Sequence, residues 1–360
     1  MKTTLYIYNP YPSVGGGDKT LKRFIDSINL KKFKVILLSN KDIQKIPNKI
    51  KFIKLKSKSS FLSFFQIKKI ILDDPARKKI FFSMQYFVNV SALLFLRKYP
   101  DIKIFLYEIN HPNELNYFRN WIDFLKKKII KFLVKRIYYK ADIIAANCKE
   151  LSVDLSQLIK KKVETIYNPC FFRIYSPKKR ILNKKKVNIL NIARFENQKD
   201  QITLLKAIKI SKYKSRINLS LVGFGTNEKI LKEFIKKNKI QCKIYKNSIK
   251  LTPFYKNNDL FILTSLYEGL PTVLIEAASH CIPIISSKFK SGSKEILRNG
   301  TCGYLFEIQD YLSLSKIIDS FVEDPKPFYK KEKKCRQNLI KFSNKKNIKK
   351  FNNFLLKLTN

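Results

Sequence analysis

The chain has 360 residues, 45% of them hydrophobic and 13% aromatic, which excludes a disordered tail and is enough to bury a substantial core. Its 74 basic and 27 acidic residues give a net charge of +47, which makes nucleic acid and an anionic membrane surface candidate partners. The charge is spread, however, with +22 over residues 1–175 and +25 over residues 176–360, whereas nucleic-acid readers usually concentrate it on one face. We attribute much of it to AT-rich codons, which favour Lys, Ile, Asn, Phe and Tyr, and expect no nucleic-acid partner.

The sequence also argues against a membrane-spanning protein, a secreted protein and a protein held together by disulfides. The longest uncharged stretch, residues 80–96, is shorter than the roughly 20 apolar residues of a bilayer span. The first residues lack the apolar run and the small-residue cleavage site of a signal peptide, so we expect a cytoplasmic protein. The six cysteines form no C-x-x-C pair, and neither histidine lies near a cysteine pair, which favours buried, reduced thiols over a zinc site or a disulfide framework.

The first half of the chain alternates between strands and helices. Apolar runs predict strands within residues 5–8, 34–39, 80–83, 104–107 and 143–146. Helical spacing of apolar residues is found at 21–28, at 90–96 and, in a long basic amphipathic stretch, at 121–139. This alternation indicates parallel βαβ units.

The same pattern restarts after a polar, Lys-rich segment. Strands are predicted within residues 187–192, 218–222, 243–245, 260–264, 282–286 and 304–306, and helices at 200–210, at 228–236, after residue 271 and in the tail 342–358. We therefore predict an α/β fold of two Rossmann-like domains. The first covers residues 1–172, a linker covers 173–186 and the second covers 187–340, with the tail of about 340–360 packing back on the first. Ligands of open parallel sheets bind beyond the carboxyl ends of the strands, so site residues are expected in the turns that follow strands.

Two glycine-rich turns follow predicted strands. Gly223-Phe224-Gly225 opens a helix as a dinucleotide fingerprint does, but Glu228 stands where the third glycine belongs. A tight strand-to-helix turn and a backbone N–H surface facing a phosphate are the alternatives. The Gly15-Gly16-Gly17 turn lets the backbone approach a ligand or a facing domain closely, and it is not a P-loop because no Gly-Lys-Ser/Thr follows.

The most informative stretch is residues 265–278, SLYEGLPTVLIEAA. Pro271 suits the first turn of a helix, whose free N–H groups and positive dipole end form an anion site. Glu268 comes just before this helix, and Glu276 lies within it among apolar residues, where an unbonded carboxylate is costly. A glutamate satisfied by the helix dipole is the alternative to a ligand contact.

Glu268 and Glu276 match the Glu-x7-Glu motif of the family-4 glycosyltransferases, which are retaining enzymes of the two-domain GT-B fold. Residues 193–200, ARFENQKD, resemble the Arg…Lys segment that opens the second domain of that family. Further pieces in the family's order carry the resemblance over most of the chain: residues 15–17, 138–147, 166–169 and 286–303.

The resemblance implies a role for each of these residues. Arg194 and Lys199 would bind the diphosphate of a nucleotide sugar and, with the helix end at Pro271, offset the charge of the departing diphosphate without a metal ion. Glu268 would lie near the donor sugar, and Glu276 would accept hydrogen bonds from the ribose. Further donor contacts are expected from Gly16, Gly17, Gly223, Ser248, Ile249, Lys250, Gly269, Leu270 and Pro271, with the nucleobase near 248–250.

Two histidines and one basic stretch leave alternatives open. His111 follows a strand of the first domain and is either a loop-capping residue or a catalytic contact to a sugar hydroxyl; family members often have Arg where Ile109 stands. His280, mid-helix among apolar residues, is expected to be structural. Residues 126–136 alternate Lys with apolar residues, which suits either an anionic leaflet or a solvated face over a packed one.

The resemblance predicts a retaining, metal-independent glycosyltransferase. It would move a sugar from a nucleotide diphosphate, expected to be a UDP-sugar, to an oligosaccharide or lipid-linked glycan such as a lipopolysaccharide, O-antigen or capsule precursor. No cofactor is expected besides this co-substrate, and peripheral contact with the inner membrane leaflet is compatible with the charge. A basic nucleic-acid or polyanion binder on a Rossmann-like scaffold and a sugar-nucleotide epimerase of the same fold are the alternatives, and the ordered motifs count against both.

Overall fold

The computed structural model describes residues 2–12, 16–43, 46–118, 120–170, 173–177, 185–246 and 250–359. The chain divides into two compact units: unit 1 comprises residues 1–169 and 344–360, and unit 2 comprises residues 170–343. Each unit is built on its own parallel sheet with helices, which confirms the predicted α/β class.

The strands of unit 1 are β1 (Thr3–Tyr8), β2 (Phe33–Ser39), β3 (Lys51–Lys54), β4 (Lys79–Met84), β5 (Ile102–Glu108), β6 (Ile143–Ala146) and β7 (Glu164–Thr165). They form one sheet in the order β3-β2-β1-β4-β5-β6-β7. The central strands β1 and β4 are buried over their whole length, as expected for a parallel sheet covered on both faces. The edge strand β3 is not among the predicted strands, because its sequence KFIK is half exposed and has no apolar run.

The helices of unit 1 within its first 169 residues are α1 (Gly16–Asp26), α2 (Ser63–Leu72), α3 (Tyr86–Leu96), α4 (Trp121–Ile137) and α5 (Lys149–Ile159). From β3 to β7 the chain crosses the sheet in one direction, and right-handed crossovers therefore place α2 to α5 on the same face. Contacts of α2 with α3, of α3 with α4 and of α4 with α5 agree with this placement. We call these four helices the helix layer of unit 1.

The strands of unit 2 are β8 (Val187–Ile192), β9 (Ile217–Val222), β10 (Cys242–Tyr245), β11 (Leu260–Leu263), β12 (Ile284–Ser287) and β13 (Tyr304–Phe306). The helices are α6 (Gln201–Ile210), α7 (Glu228–Lys237), α8 (Thr252–Asn257), α9 (Thr272–Ser279), α10 (Ser293–Ile296), α11 (Tyr311–Glu323) and α12 (Lys326–Gln337). The sheet order is β10-β9-β8-β11-β12-β13, so the direction of the chain across the sheet reverses between β8 and β11. Such a reversal is the switch point at which open α/β sheets bind ligands.

Short 3₁₀ turns connect several of these elements, at Pro112–Asn116, Tyr138–Lys140, Asn197–Lys199, Lys214–Arg216, Arg298–Gly300 and Leu339–Phe342. All six cysteines are free thiols, and five are buried while Cys242 is half-buried. Within the described ranges, no helix has the length and apolar character needed to cross a bilayer.

The last helix of the chain, α13 (Asn344–Lys357), belongs to unit 1. Phe351 is fully buried there and stacks on Phe24 of α1, with 4.2 Å between the ring centroids. It also contacts Phe82 and Phe105 from β4 and β5. Residues that follow unit 2 in sequence therefore complete the core of unit 1.

Candidate active site

The predicted residues of unit 2 collect at one edge of its sheet. Residues 193–200 follow β8, and residues 264–271 follow β11, the neighbour of β8 in the sheet. Because the strands are parallel, both segments leave the sheet at its carboxyl edge. They meet at the switch point, which is where a ligand of this unit is expected.

Lys199 and Glu268 form an ion pair at this edge. The Lys199 ammonium donates to Oε1 of Glu268, and both side chains are largely buried, with 14% and 11% of their surfaces exposed. The Ser265 hydroxyl donates to the same carboxylate oxygen at 2.9 Å, and the Thr264 hydroxyl donates to the Lys199 carbonyl at 2.9 Å. The structure thus brings two predicted catalytic residues into direct contact, and their charges offset each other.

Arg194 is linked to both segments through Gln198. The exposed Arg194 guanidinium donates to Oε1 of Gln198 at 3.2 Å. Gln198 in turn donates from Nε2 to the Tyr267 carbonyl at 2.8 Å, and its own carbonyl accepts from the N–H of Leu266 at 2.8 Å. Gln198 therefore ties the Arg194–Lys199 segment to the Glu268 segment. It was not among the predicted site residues, although its place between Arg194 and Lys199 in sequence is a signal that could have identified it.

The glycines after β9 permit a close approach to the Arg194 segment. A Cβ atom on Gly223 would lie 1.9 Å from the Ala193 carbonyl oxygen, and one on Gly225 would lie 2.4 Å from the Phe195 carbonyl oxygen. Only glycine fits such contacts, which agrees with the tight-turn interpretation. Glu228, which stands in place of the third fingerprint glycine, is paired with Lys232 and Lys246, whose hydrogen bonds lower its pKa.

The backbone of Gly269, Leu270 and Pro271 is held by the loop after β12. The buried Ser291 hydroxyl donates to the carbonyls of Glu268 and Gly269 at 2.8 and 3.1 Å. A Cβ atom on Gly292 would lie 2.3 Å from the Gly269 carbonyl oxygen. Because α9 begins in the segment that follows β11, its positive end lies at the same sheet edge, and Pro271 provides no side-chain cap for it.

Glu276 lies on α9 and is oriented by a buried tyrosine. The Tyr255 hydroxyl donates to Oε2 of Glu276 at 3.0 Å, and burial raises the pKa of Tyr255 well above its usual value. The Tyr255 ring stacks on His280, whose Nδ1 donates to the Glu276 carbonyl at 2.8 Å. His280 itself is stacked on Tyr175, and burial lowers its pKa. These contacts agree with the structural role predicted for His280.

The expected nucleobase segment is described only in part. Ser248 and Ile249 lie outside the described residues. Lys250, which follows them, is exposed. The strand before this segment, β10, ends at Tyr245, at the same carboxyl edge as the other predicted residues.

In unit 1, the predicted glycines begin the first helix. Gly16 and Gly17 are the first two residues of α1, and Gly15 lies outside the described residues. A Cβ atom on Gly17 would lie 3.1 Å from Cδ1 of Ile109, the residue at the position where family members often have Arg. Gly17 therefore packs against the loop after β5, and its expected contact with a donor is still a prediction.

His111 caps the turn after β5. It is buried, its Nδ1 accepts from the N–H of Asn113 at 3.1 Å, and its Nε2 lies 2.9 Å from a carboxylate oxygen of Asp154 on α5. Because Nδ1 is an acceptor, the proton is on Nε2 and is donated to Asp154. This geometry is the loop-capping arrangement that the sequence left open, and a catalytic role for His111 is still a prediction.

A buried carboxyl group lies beneath the same loop. Glu108, at the end of β5, accepts hydrogen bonds on Oε1 from Tyr138 at 2.6 Å and from Asn89 at 2.7 Å. Its Oε2 has no hydrogen-bond partner among the residues that the structure describes. Burial raises the pKa of Glu108 well above its ordinary value, which favours the protonated, neutral form of the carboxyl group.

This chain is similar to known glycosyltransferases in both sequence and fold. Residues 173–342, nearly all of unit 2, match the family model described as Glycosyl transferases group 1. The N-acetylgalactosamine-N,N'-diacetylbacillosaminyl-diphospho-undecaprenol 4-alpha-N-acetylgalactosaminyltransferase of Campylobacter jejuni is 24% identical, over 93% of this chain and 94% of its own. The UDP-Gal:alpha-D-GlcNAc-diphosphoundecaprenol alpha-1,3-galactosyltransferase of Escherichia coli is 33% identical, over 24% of this chain and 21% of its own. The sucrose-phosphate synthase of Thermosynechococcus elongatus has the same fold, with a TM-score of 0.82 at 14% identity over 99% of both chains.

The two α/β units, each with its own parallel sheet, are the architecture of a GT-B glycosyltransferase. Within this class, residues 173–342 match the group 1 glycosyltransferases, which confirms the predicted resemblance at that level. The assignment to family 4 is still a prediction. The two alternatives considered from the sequence, a nucleic-acid binder and a sugar-nucleotide epimerase, are therefore set aside.

Proposed function

We propose that this glycosyltransferase moves a sugar from a UDP-sugar to a lipid-linked precursor of a bacterial surface glycan. The transfer would retain the anomeric configuration and need no metal ion. One observation carries the proposal: Arg194, Lys199 and the start of α9 converge on the carboxyl edge of the unit 2 sheet. Two cations and a helix N-terminus suit a diphosphate that gains negative charge as it departs.

The Lys199–Glu268 pair gives this site a defined exchange of partners. Lys199 donates to Glu268, and a diphosphate entering between the two segments would compete for the same ammonium. Glu268 would then accept a hydrogen bond from a hydroxyl group of the donor sugar, which this proposal places next to the Glu268 carboxylate. In the transfer, the bond from the anomeric carbon to the diphosphate breaks, and the acceptor oxygen bonds to that carbon on the same face. The acceptor proton passes to the departing diphosphate oxygen.

Glu276 would select the nucleotide part of the donor. Its carboxylate is fixed by the Tyr255 hydroxyl, and ribose hydroxyls are donors that match it. A residue that contacts the ribose binds the ground state and the transition state alike, so it contributes to affinity more than to turnover. The choice of uridine is supported by the Escherichia coli relative, which is named for UDP-Gal as its donor.

The acceptor proposal follows from the relatives. Both the Campylobacter jejuni and the Escherichia coli enzymes are named for acceptors linked to diphospho-undecaprenol, and both are named for alpha linkages. We therefore propose an undecaprenyl-diphosphate glycan as acceptor and the cytoplasmic face of the membrane as the place of reaction. The nucleotide sugar is water-soluble and the acceptor is anchored in lipid, so the enzyme would meet both there.

A thermal-shift screen over nucleotide sugars tests the donor proposal directly. A ligand present at about 100 times its Kd stabilises the protein by about 2.7 kcal/mol, which raises the unfolding temperature by a few degrees. We expect UDP and one or more UDP-sugars to do so, and the shift to shrink in Lys199→Ala but not in Lys209→Ala, a control on the exposed side of α6. Stabilisation only by dinucleotides, or by no nucleotide, would contradict the proposal.

A further inference from the structure

Helix α4 carries large apolar side chains on its exposed side. Trp121 and Ile122 are 69% and 62% exposed, Ile129 and Phe132 are each 58% exposed, and Leu125 is 44% exposed. At about 100° of rotation per residue, these five positions fall within one arc of about 100°. The opposite side of the helix buries Ile130 and Val134. Helix α4 therefore has one apolar face packed on the unit and a second apolar face on the outside, which is not the solvated face that a surface helix presents.

A second exposed apolar cluster lies on the same helix layer. Phe61 and Leu62, just before α2, and Phe65 within it are 47%, 55% and 58% exposed. The rings of Phe61 and Phe65 both contact Phe95 of α3, at 5.4 and 5.0 Å between centroids. Leu94, the sequence neighbour of Phe95 in α3, is also exposed. Because α2, α3 and α4 cover the same face of the sheet, both clusters belong to the outer surface of one layer.

Most of both clusters lies in stretches of the sequence that contain only positive charges, whereas Trp121 and Ile122 lie just before the first of these stretches and are followed by Asp123. Residues 124–141 include seven Lys or Arg and no Asp or Glu, and residues 43–72 include eight Lys and no Asp or Glu. The cations flank the apolar stripe: the Lys128 ammonium lies 5.3 Å from the Phe124 ring centroid, and the Arg136 guanidinium lies 5.4 Å from that of Phe132. Such side chains can place their heads at the level of lipid phosphates while their stems cover apolar surface.

We propose that the outer surface of the helix layer of unit 1 docks on an anionic bilayer. Trp121, Ile122, Leu125, Ile129 and Phe132 would insert at the boundary of headgroups and acyl chains, and Phe61, Leu62 and Phe65 would provide a second point of insertion. The flanking Lys and Arg side chains match the charge of anionic lipids. A nucleic acid would match the cations but leaves the aliphatic Ile122, Leu125 and Ile129 without apolar partners. The docking rests on this surface alone and does not depend on the proposed donor or acceptor.

Tryptophan fluorescence can test this docking directly, because Trp121 is the single tryptophan of the chain and lies on the proposed surface. The full chain is mixed with vesicles of phosphatidylcholine that contain roughly 30% phosphatidylglycerol, and with vesicles of phosphatidylcholine alone. We expect the Trp121 emission to shift to the blue only with the anionic vesicles, and lipids brominated near the headgroup to quench it. The protein should sediment with the same vesicles.

Matched substitutions separate insertion from simple attraction of charges. Ile122→Ser combined with Ile129→Ser should lower the partition coefficient roughly tenfold or more, since both side chains would lose an apolar environment. Phe61→Ser combined with Phe65→Ser should lower it as well. Ile230→Ser combined with Ile340→Ser removes exposed isoleucines from unit 2 and should change nothing. Unchanged melting temperatures show that each variant is folded, which is expected at exposed positions.

Three results would overturn the proposal. Binding that is abolished by high salt and unaffected by the isoleucine and phenylalanine variants would mean adsorption by charge alone. A Trp121 blue shift that grows with protein concentration in the absence of vesicles, with dimers in light scattering, would mean that a second copy covers the surface. If the folded wild-type protein does not sediment with anionic vesicles, this surface does not dock on a bilayer.

Discussion

The Lys199 ammonium donates a hydrogen bond to the Glu268 carboxylate, although the two residues are 69 positions apart in sequence. Each lies in the segment that follows one of two adjacent central strands, so the contact depends on the pairing of β8 with β11. The pair is largely buried, so removal of either charge leaves the other charge in a place where little water can compensate for the lost partner.

We predict that the pair contributes to stability as a unit. Lys199→Ala should lower the free energy of unfolding by about 1–3 kcal/mol, the range for hydrogen bonds to charged groups. Glu268→Gln keeps an acceptor for Lys199 and should cost less. Denaturant unfolding of both single variants and the double variant measures their coupling, which should exceed about 0.5 kcal/mol. Additive effects would show that the contact carries no energy.

Arg194 should matter for catalysis and not for folding. Its side chain is exposed, so Arg194→Ala should leave the melting temperature nearly unchanged. A charge-assisted hydrogen bond to a departing diphosphate strengthens as charge develops, so kcat/KM should fall by roughly 10–100-fold. Steady-state kinetics beside melting curves decide the matter, with Lys209→Ala as control. If Arg194→Ala unfolds the protein while each folded molecule turns over normally, Arg194 is a structural residue.

Glu276→Ala should have a different kinetic signature. A ribose contact stabilises the ground state and the transition state equally, so the KM for the nucleotide sugar should rise more than kcat falls. Tyr255→Phe removes the hydroxyl that orients the carboxylate and should raise KM in the same direction, by a smaller factor. Measured kcat and KM for both variants test this. A loss confined to kcat would place Glu276 at the reacting bond instead.

Chelation should leave the activity intact. In the proposed site, Arg194, Lys199 and the positive end of α9 supply the field that a metal ion supplies elsewhere. Initial rates in excess EDTA should therefore equal those in Mg²⁺. Loss of turnover in EDTA that Mg²⁺ or Mn²⁺ restores would contradict this arrangement of charges.

Glu108 should make stability depend on pH. Its folded-state pKa is raised, so the folded protein keeps a proton that the unfolded chain releases above about pH 4.5. The stabilising contribution is complete below that pH and is lost as pH rises toward the folded-state pKa, at about 1.4 kcal/mol per pH unit. Glu108→Gln stays neutral, so its melting temperature relative to wild type should rise between pH 4.5 and pH 8. The exposed Glu233→Gln should show no such trend, and parallel pH profiles for Glu108→Gln and wild type would contradict the expectation.

The central strands and the site segments were predictable because their signals are local. Strands such as β4 are continuous apolar runs, and Pro271 marks the start of α9 to within one residue. The helix α2 was not predicted, since its apolar residues follow a stretch crowded with Lys and Ser that hides the periodicity. Helices α11 and α12 were likewise not predicted.

The contacts within the site were less predictable than its members. Sequence spacing identified Glu268 and Glu276 but not their distant partners, because Tyr255 and Ser291 reach them only through tertiary packing. The same holds for His111, whose partner Asp154 lies on another helix. Residue types and turn positions can be predicted from the local sequence, whereas the geometry of a long-range hydrogen bond depends on how the strands pair.

The C-terminal helix sets an order of assembly during translation. Phe351 fills the core of unit 1, yet the ribosome makes it after the whole of unit 2. Unit 2 is continuous in sequence and can close as soon as it has emerged, as domains generally do. Unit 1 begins first but has to wait, with Phe24, Phe82 and Phe105 lacking their neighbour until α13 arrives. The first half of this nascent chain therefore lacks part of its core until synthesis is nearly complete.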